Sequence, residues 1–362
     1  MIFTEKYHLC DHSVIGDAFI GANSASGFVG VLDNLVNEES MRRVYVIKGA
    51  AGTGKSTLLK RLCTSAMESK INVERYACSS DPNSLDLVVI NSEVAVLDGT
   101  SPHSYDMIYP GAASSLIDLS VFWDSMKLRE YKEDIVKLTK QKKASYNEAY
   151  VKLKILDMLF SERMKLIKQS INTDKLEKYV NKFIKDVGIF KCSGNGVIQY
   201  HRCISTQGRL RLDTLQHKAK YIFKIEDYYG SGYVITEMLA EQLRKNSICH
   251  IASVDPLNSS IISDVYLPSE KVLITVEDVI NADKVINMKR FVLNDALSDV
   301  KGEIRLSVKC AESIDAEMLK HLSNAGKAHR ELELIYSACM DFEALSKYTS
   351  DLCIDIVRRI SH

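Results

Sequence analysis

Apolar and polar positions alternate in two rhythms along the first third of this chain. Short runs rich in β-branched residues, Val44-Tyr45-Val46-Ile47, Leu87-Val88-Val89-Ile90 and Val94-Ala95-Val96-Leu97, predict buried strands. Val73-Glu74-Arg75-Tyr76-Ala77-Cys78 predicts a further one. Between the first strand and this one, Leu58, Leu59, Leu62, Cys63 and Ala66 recur at helical spacing and give one apolar stripe. From residue 124 to 186 the rhythm lengthens. Lys, Arg and Glu alternate with apolar residues through 127–140, 146–168 and 174–186, with almost no Gly or Pro. This stretch predicts two or three long helices folded back as a hairpin arm.

The turn between the first strand and the first helix carries the chemistry. Gly49-Ala50-Ala51-Gly52-Thr53-Gly54-Lys55-Ser56 fits G-x-x-x-x-G-K-[ST], the phosphate-binding P-loop. Its glycines let backbone N–H groups close on phosphate oxygens, and the helix start adds a positive dipole end. Lys55 is expected to neutralise the β- and γ-phosphates and Ser56 to ligate Mg²⁺. Thr57 completes the set and supports the helix start. Asp98, at the end of the Val94–Leu97 run, is the expected Mg²⁺-supporting aspartate, since a parallel strand delivers it to the carboxyl edge of the sheet. Gly99 follows it, so the adjacent glutamate that many ATPases use as a base is missing. Asp81, His103 and Asp106 stand in loops where a water-aligning group would fit, with Asx-turn chemistry and plain loop solvation as alternatives. Asp86 precedes its strand, the end expected to lie away from chemistry. The turn-rich segment 19–35 is open to two readings, a cap on the nucleotide or a surface connection.

From residue 187 the pattern repeats. Gly208 to Leu215 echoes Gly27 to Leu35, and Phe223 to Val234 lies over Val46 to Ser56. Gly230 and Gly232 match Gly52 and Gly54, but Tyr233 replaces Lys55 and Val234 replaces Ser56. Asp255-Pro256 matches Asp81-Pro82, Val272 to Val276 matches the Asp98 strand, and Ile286 to Phe291 matches Ile117 to Phe122. So long a period indicates duplication. Ile235, Met238, Leu239 and Leu243 keep the packing stripe, while Glu226 and Asp227 put negative charge where phosphates would sit. A retained fold with no nucleotide site is expected there.

Together these residues resemble a family of uncharacterised bacterial tandem P-loop ATPases. The resemblance rests on Gly21-Ala22-Asn23 with Gly27-Phe28, Gly49 to Ser56, Cys78 to Pro82 with Ser84-Leu85-Asp86, Leu97 to Thr100 with Pro102-His103, and Phe122-Trp123-Asp124. Near the C-terminus it includes His329, Glu333, Tyr336 and Met340-Asp341-Phe342. It implies an α/β fold of two tandem P-loop NTPase-like parallel-sheet units with helical excursions, residues 1–186 (arm at about 124–186) and 187–362. It also implies ATP rather than GTP.

Composition narrows the picture in three ways. Acidic and basic residues balance, 47 against 47, and no aromatic interleaving accompanies the charged arm, which disfavours nucleic acid. The nine cysteines show no C-x-x-C spacing, which argues against a zinc site or a disulfide framework. The first residues lack the apolar core of a signal peptide, and no apolar run reaches membrane-spanning length. The expectation is a cytoplasmic protein that binds ATP with Mg²⁺, an unidentified protein or small molecule being its further partner, and couples hydrolysis to movement between units. A nucleotide-kinase-like phosphotransferase and a non-hydrolysing nucleotide-dependent interaction protein are the alternatives.

Overall fold

A computed structural model describes residues 8–9, 16–102, 104–188, 196–279 and 281–360. The chain is α/β and contains two six-stranded sheets of matching design. In the first, the strand order is Ala18–Phe19, Val73–Ala77, Leu85–Ile90, Val94–Asp98, Arg43–Lys48, Ser114–Asp118. In the second it is Val197–Gln199, Ile251–Val254, Ile262–Leu267, Val272–Thr275, Tyr221–Glu226, Lys284–Asn287. Neither sheet is wholly parallel as expected. The third strand of each order, Leu85–Ile90 or Ile262–Leu267, runs against both neighbours. The connections explain this, because the strands on either side of it in sequence are joined to it by short loops rather than crossover helices.

Alternation along Arg43–Lys48 sends Val44 and Val46 to one face of the first sheet and Tyr45 and Ile47 to the other. The Tyr45 face packs on the helix Lys55–Glu68 through Leu58, Leu59 and Leu62. The same stripe recurs in the helix Gly232–Lys245, where Ile235, Leu239 and Leu243 are buried and Met238 packs beside them.

The helical regions cross between the halves. The helix Lys132–Gln169, 38 residues long, pairs along its length with Asn294–Ser337, 44 residues; at 1.5 Å per residue each runs for about 60 Å. The expected hairpin within 124–186 is therefore replaced by a pair contributed by both halves. At the far end of each long helix the chain turns into a shorter one that packs on the other half. Leu176, Val180 and Phe183 of Thr173–Asp186 share a core with Ile225, Ile235 and Leu239. Leu345, Cys353 and Ile356 of Phe342–Ile360 share a core with Leu58, Leu59 and Leu62. Matching backbone pairings secure both exchanges: Asp124 N–H donates to the Cys339 carbonyl and Asp341 N–H to that of Phe122, while Leu293 N–H donates to Ser170 and Asn172 N–H to Phe291.

The segment 19–35, left open between nucleotide cap and surface connection, builds the contact between halves. It forms a hairpin, Gly21–Ser24 with Gly27–Gly30, whose counterpart is Arg202–Ser205 with Gly208–Arg211. Asn23 Nδ2 donates to the Ile204 carbonyl at 2.7 Å, and Tyr150 OH of the long helix donates to Asn23 Oδ1 at 2.9 Å. Phe19, Ala22, Tyr200, Cys203 and Val254 bury one another there. Among the described residues, no helix is long and apolar enough to cross a membrane.

Candidate functional site

The loop 49–54 leaves the strand Arg43–Lys48 and turns into the helix Lys55–Glu68 at the carboxyl edge of the first sheet. Gly52 and Gly54 have φ of +72° and +89°, the left-handed region that favours glycine. Gly52 also lies under the long helix Asn294–Ser337: a Cβ added to it would sit 2.5 Å from the Glu333 carbonyl oxygen. Ser337 Oγ donates to the Gly52 carbonyl at 3.0 Å. Ala51, at the tip, packs with Leu138, Ala328 and Leu332 of the two long helices. Thr53 is buried, its hydroxyl donating to the Ala50 carbonyl at 2.8 Å.

Lys55 curls back over this loop. Its Nζ donates to the carbonyls of Gly49 at 3.0 Å and Ala50 at 2.6 Å, and lies 3.7 Å from Asp98 Oδ2. Asp98 is buried at the end of its strand, and its Oδ1 accepts from Thr100 N at 2.9 Å and Thr100 Oγ1 at 2.6 Å. Ser56 Oγ accepts the Leu85 N–H at 3.0 Å. Lys55, Ser56 and Asp98, singled out separately in the sequence, are thus brought to one sheet edge. Thr57 is exposed on the helix.

Asp86 belongs there too, contrary to the expectation that it lies at the wrong end of its strand. Because Leu85–Ile90 runs antiparallel, its start meets the carboxyl ends of its neighbours. Asp86 is buried. Burial first, then the neighbouring Asp98 carboxylate, pushes its pKa up to about 8, against a hydrogen bond from the Cys78 thiol and the pull of Lys55. At neutral pH Asp86 therefore keeps its proton beside Asp98, and a cation added there would favour its release. Mg²⁺ fits this donor set, because it keeps most of its waters and needs few protein ligands. Among the described residues, no group of three or more His, Cys, Asp or Glu side chains has the arrangement of an all-protein metal site.

Asp81 stands in a turn at the inter-half contact. Its carboxylate accepts Ser84 Oγ at 2.7 Å, Asn83 N at 3.3 Å and, from the other half, Gln207 Nε2 at 3.2 Å. Asp106 is exposed, and His103 lies outside the described residues. The long helices bring three further groups over the loop. Lys142 Nζ lies 3.5 Å from His329 Nδ1, and His329 Nε2 lies 3.6 Å from Glu333 Oε1, both of the latter side chains being about 40% exposed. Burial, then Lys142 and Lys55, lower the His329 pKa to about 4; burial and then Lys55 lower that of Lys142. Burial and then Asp81 raise that of Glu333. In the sequence, His329 and Glu333 stand out only through the resemblance. Lys142 is one of many lysines of a charged helix, and helical phase alone does not tell which of them faces a loop about ninety residues away.

The second loop has the same frame and different contents. Val46 pairs with Leu97 as Lys224 pairs with Thr275, so Val276 stands at the position of Asp98. Leu87 pairs with Leu97 as Asp264 pairs with Thr275, which sets Ser263 at the position of Asp86. With Tyr233 for Lys55 and Val234 for Ser56, all four groups are gone. Asp227 does more than repel phosphate: its carboxylate accepts Gly230 N at 2.8 Å and Gly232 N at 2.7 Å. It fills with the chain's own anion the amide cradle that a phosphate would occupy. The match of Asp255-Pro256 to Asp81-Pro82 also needs correcting. Ser84 N–H donates to the Asp81 carbonyl as Ile261 N–H donates to that of Asn258, so Asn258 is the partner of Asp81 and Asp255 stands level with Cys78.

Comparison of the chain with protein-family models, with curated proteins and with solved structures gave no match. What the site can do is therefore argued from its geometry and from the difference between the halves.

Proposed function

We propose that the loop 49–56 is a P-loop and that the chain is a nucleoside triphosphatase acting on ATP with Mg²⁺ in its N-terminal half. The observation that carries this reading is where the halves diverge. Strand order, direction, register and helix stripe are kept, while Lys55, Ser56, Asp86 and Asp98 are all replaced in the second half. In this reading the N–H groups of the loop hold the β-phosphate. The Lys55 ammonium exchanges its two carbonyl partners for phosphate oxygens. Mg²⁺ held by Ser56 and Asp98 would neutralise charge building up across the β- and γ-phosphates. Asp86, beside Asp98, holds a proton in the free chain and would release it as the cation enters.

The second half binds no nucleotide and serves as the partner against which the first moves. Two connections support coupling: the Asp81 turn bonds Gln207 and, through the Ser80 carbonyl, Thr206 Oγ1 at 2.9 Å, and each half is completed by a helix from the other.

Calorimetric titration with ATP and Mg²⁺, with phosphate release followed in parallel, tests the reading. One site per chain with turnover is expected. In Asp98→Asn, Mg²⁺-dependent release should fall by at least about 100-fold while metal-free nucleotide binding changes by less than about threefold. Binding without release would instead support the non-hydrolysing alternative, and release only with an added small-molecule acceptor would support a phosphotransferase. Absence of binding sinks the reading.

A further inference from the structure

The groups over the first loop have counterparts over the second, and the pair works as an internal control. Asp124 N–H bonds Cys339 as Leu293 N–H bonds Ser170, which sets the two long helices in correspondence. By that correspondence Phe160 matches His329 and Met164 matches Glu333. Over the second loop the long helix presents rings, aliphatic side chains and one buried cation: Phe160 meets the Tyr233 ring edge-on at 5.8 Å between centroids, Gly230 faces Ile167 and Met164, and Arg163, buried against Phe160, is close enough to act on Asp227. Packing a long helix on a glycine loop thus needs no imidazole or carboxylate. Over the first loop both are present, half-exposed, with Lys142 beside them and Lys55 close enough to act on all three.

We propose that Lys142, His329 and Glu333 are the upper half of the nucleotide site, Lys142 and His329 holding the terminal phosphate and Glu333 accepting the proton of the attacking water. This rests on the reading of the loop as a triphosphate site. The water oxygen forms a bond to the γ-phosphorus while the bond from phosphorus to the β,γ-bridging oxygen breaks. That bond's electron pair stays on the diphosphate, and the water proton passes to the Glu333 carboxylate. Glu333 thereby supplies, from a helix more than two hundred residues away, the carboxylate missing at Gly99. His329, held neutral by burial and by two lysines, donates an N–H to a γ-oxygen without adding charge. A diphosphate leaves the long helices without this contact, so the helix pair that runs to the other half distinguishes ATP from ADP.

Glu333→Gln, Lys142→Ala and the wild type are compared in calorimetric binding of ATP and of ADP and in phosphate release, with thermal unfolding as the control for folding. Glu333→Gln should bind ATP within about threefold of wild type and release phosphate at least about 100-fold more slowly. Lys142→Ala should lose about tenfold or more in ATP affinity and keep ADP affinity, and Lys142→Arg should recover part of the loss. If the wild type binds and hydrolyses ATP but Glu333→Gln releases phosphate at the wild-type rate, the proposal is overturned and the loop reading stands. Equal weakening of ATP and ADP in Lys142→Ala overturns it likewise. If the wild type binds neither nucleotide, the loop reading fails and takes the proposal with it.

Discussion

The two glycine loops of this chain share a frame and differ in what fills it. In the first, Lys55 is held by two carbonyls of its own loop and by Asp98, contacts that a phosphate can replace. In the second, the Asp227 carboxylate already occupies the amides of Gly230 and Gly232. In one loop a side-chain cation lies on the loop carbonyls, and in the other a side-chain carboxylate lies on the loop amides. The difference teaches that the glycine turn forms with or without a side-chain carboxylate on its N–H groups, and that the halves diverge in a few side chains at fixed register.

The comparison breaks most visibly at Lys55. Lys55→Ala should weaken ATP binding by about 100-fold or more, the loss of charge-assisted bonds to phosphate, while Tyr233→Ala leaves affinity and stoichiometry unchanged. Calorimetry on both variants decides it; a loss of binding in Tyr233→Ala would mean that the second loop is the site.

Asp86, which Ser263 replaces in the second half, gives the next largest effect. Its pKa is raised from an ordinary value of 3.8 to about 8, so the folded chain holds a proton that the unfolded chain has released. Stability therefore falls as pH rises from about 4 towards about 8. Asp86→Asn should flatten that fall by about 2 kcal/mol, read from denaturant unfolding at pH 5 and pH 8.5 with chelator present. Parallel curves for the variant and the wild type would show that Asp86 is ionised at no cost.

The smallest expected effect lies in the second loop. Asp227→Ala removes the acceptor of two loop N–H groups and should lower stability by about 1–2 kcal/mol. Added inorganic phosphate should restore part of this by entering the vacated cradle, a shift absent in the wild type. Unchanged stability, or no response to phosphate, would show that Asp227 does not stand in for a ligand.

The sequence by itself determined the local parts. The run Val44–Ile47, the turn Gly49–Gly54 and the stripe Leu58, Leu59, Leu62 are short-range patterns, and each formed the element its periodicity predicts. The duplication was legible for the same reason, since the second copy keeps its packing residues. Tertiary structure decided whatever depends on direction and partner choice. Asp86 lies at the candidate site because its strand runs antiparallel to both neighbours, a direction that a strand's residues do not record. The arm pairs across the halves rather than folding back on itself, since an apolar stripe specifies that it must be covered and not by which helix. Lys132–Gln169 found its cover in Asn294–Ser337, and Phe342–Ile360 found its own against Leu58 and Leu62. Lys142, His329 and Glu333 meet over Gly52 for that reason alone. A helix more than about 50 Å long carries side chains from one half to the other, and only the pairing of two such helices fixes which of them arrive at the loop.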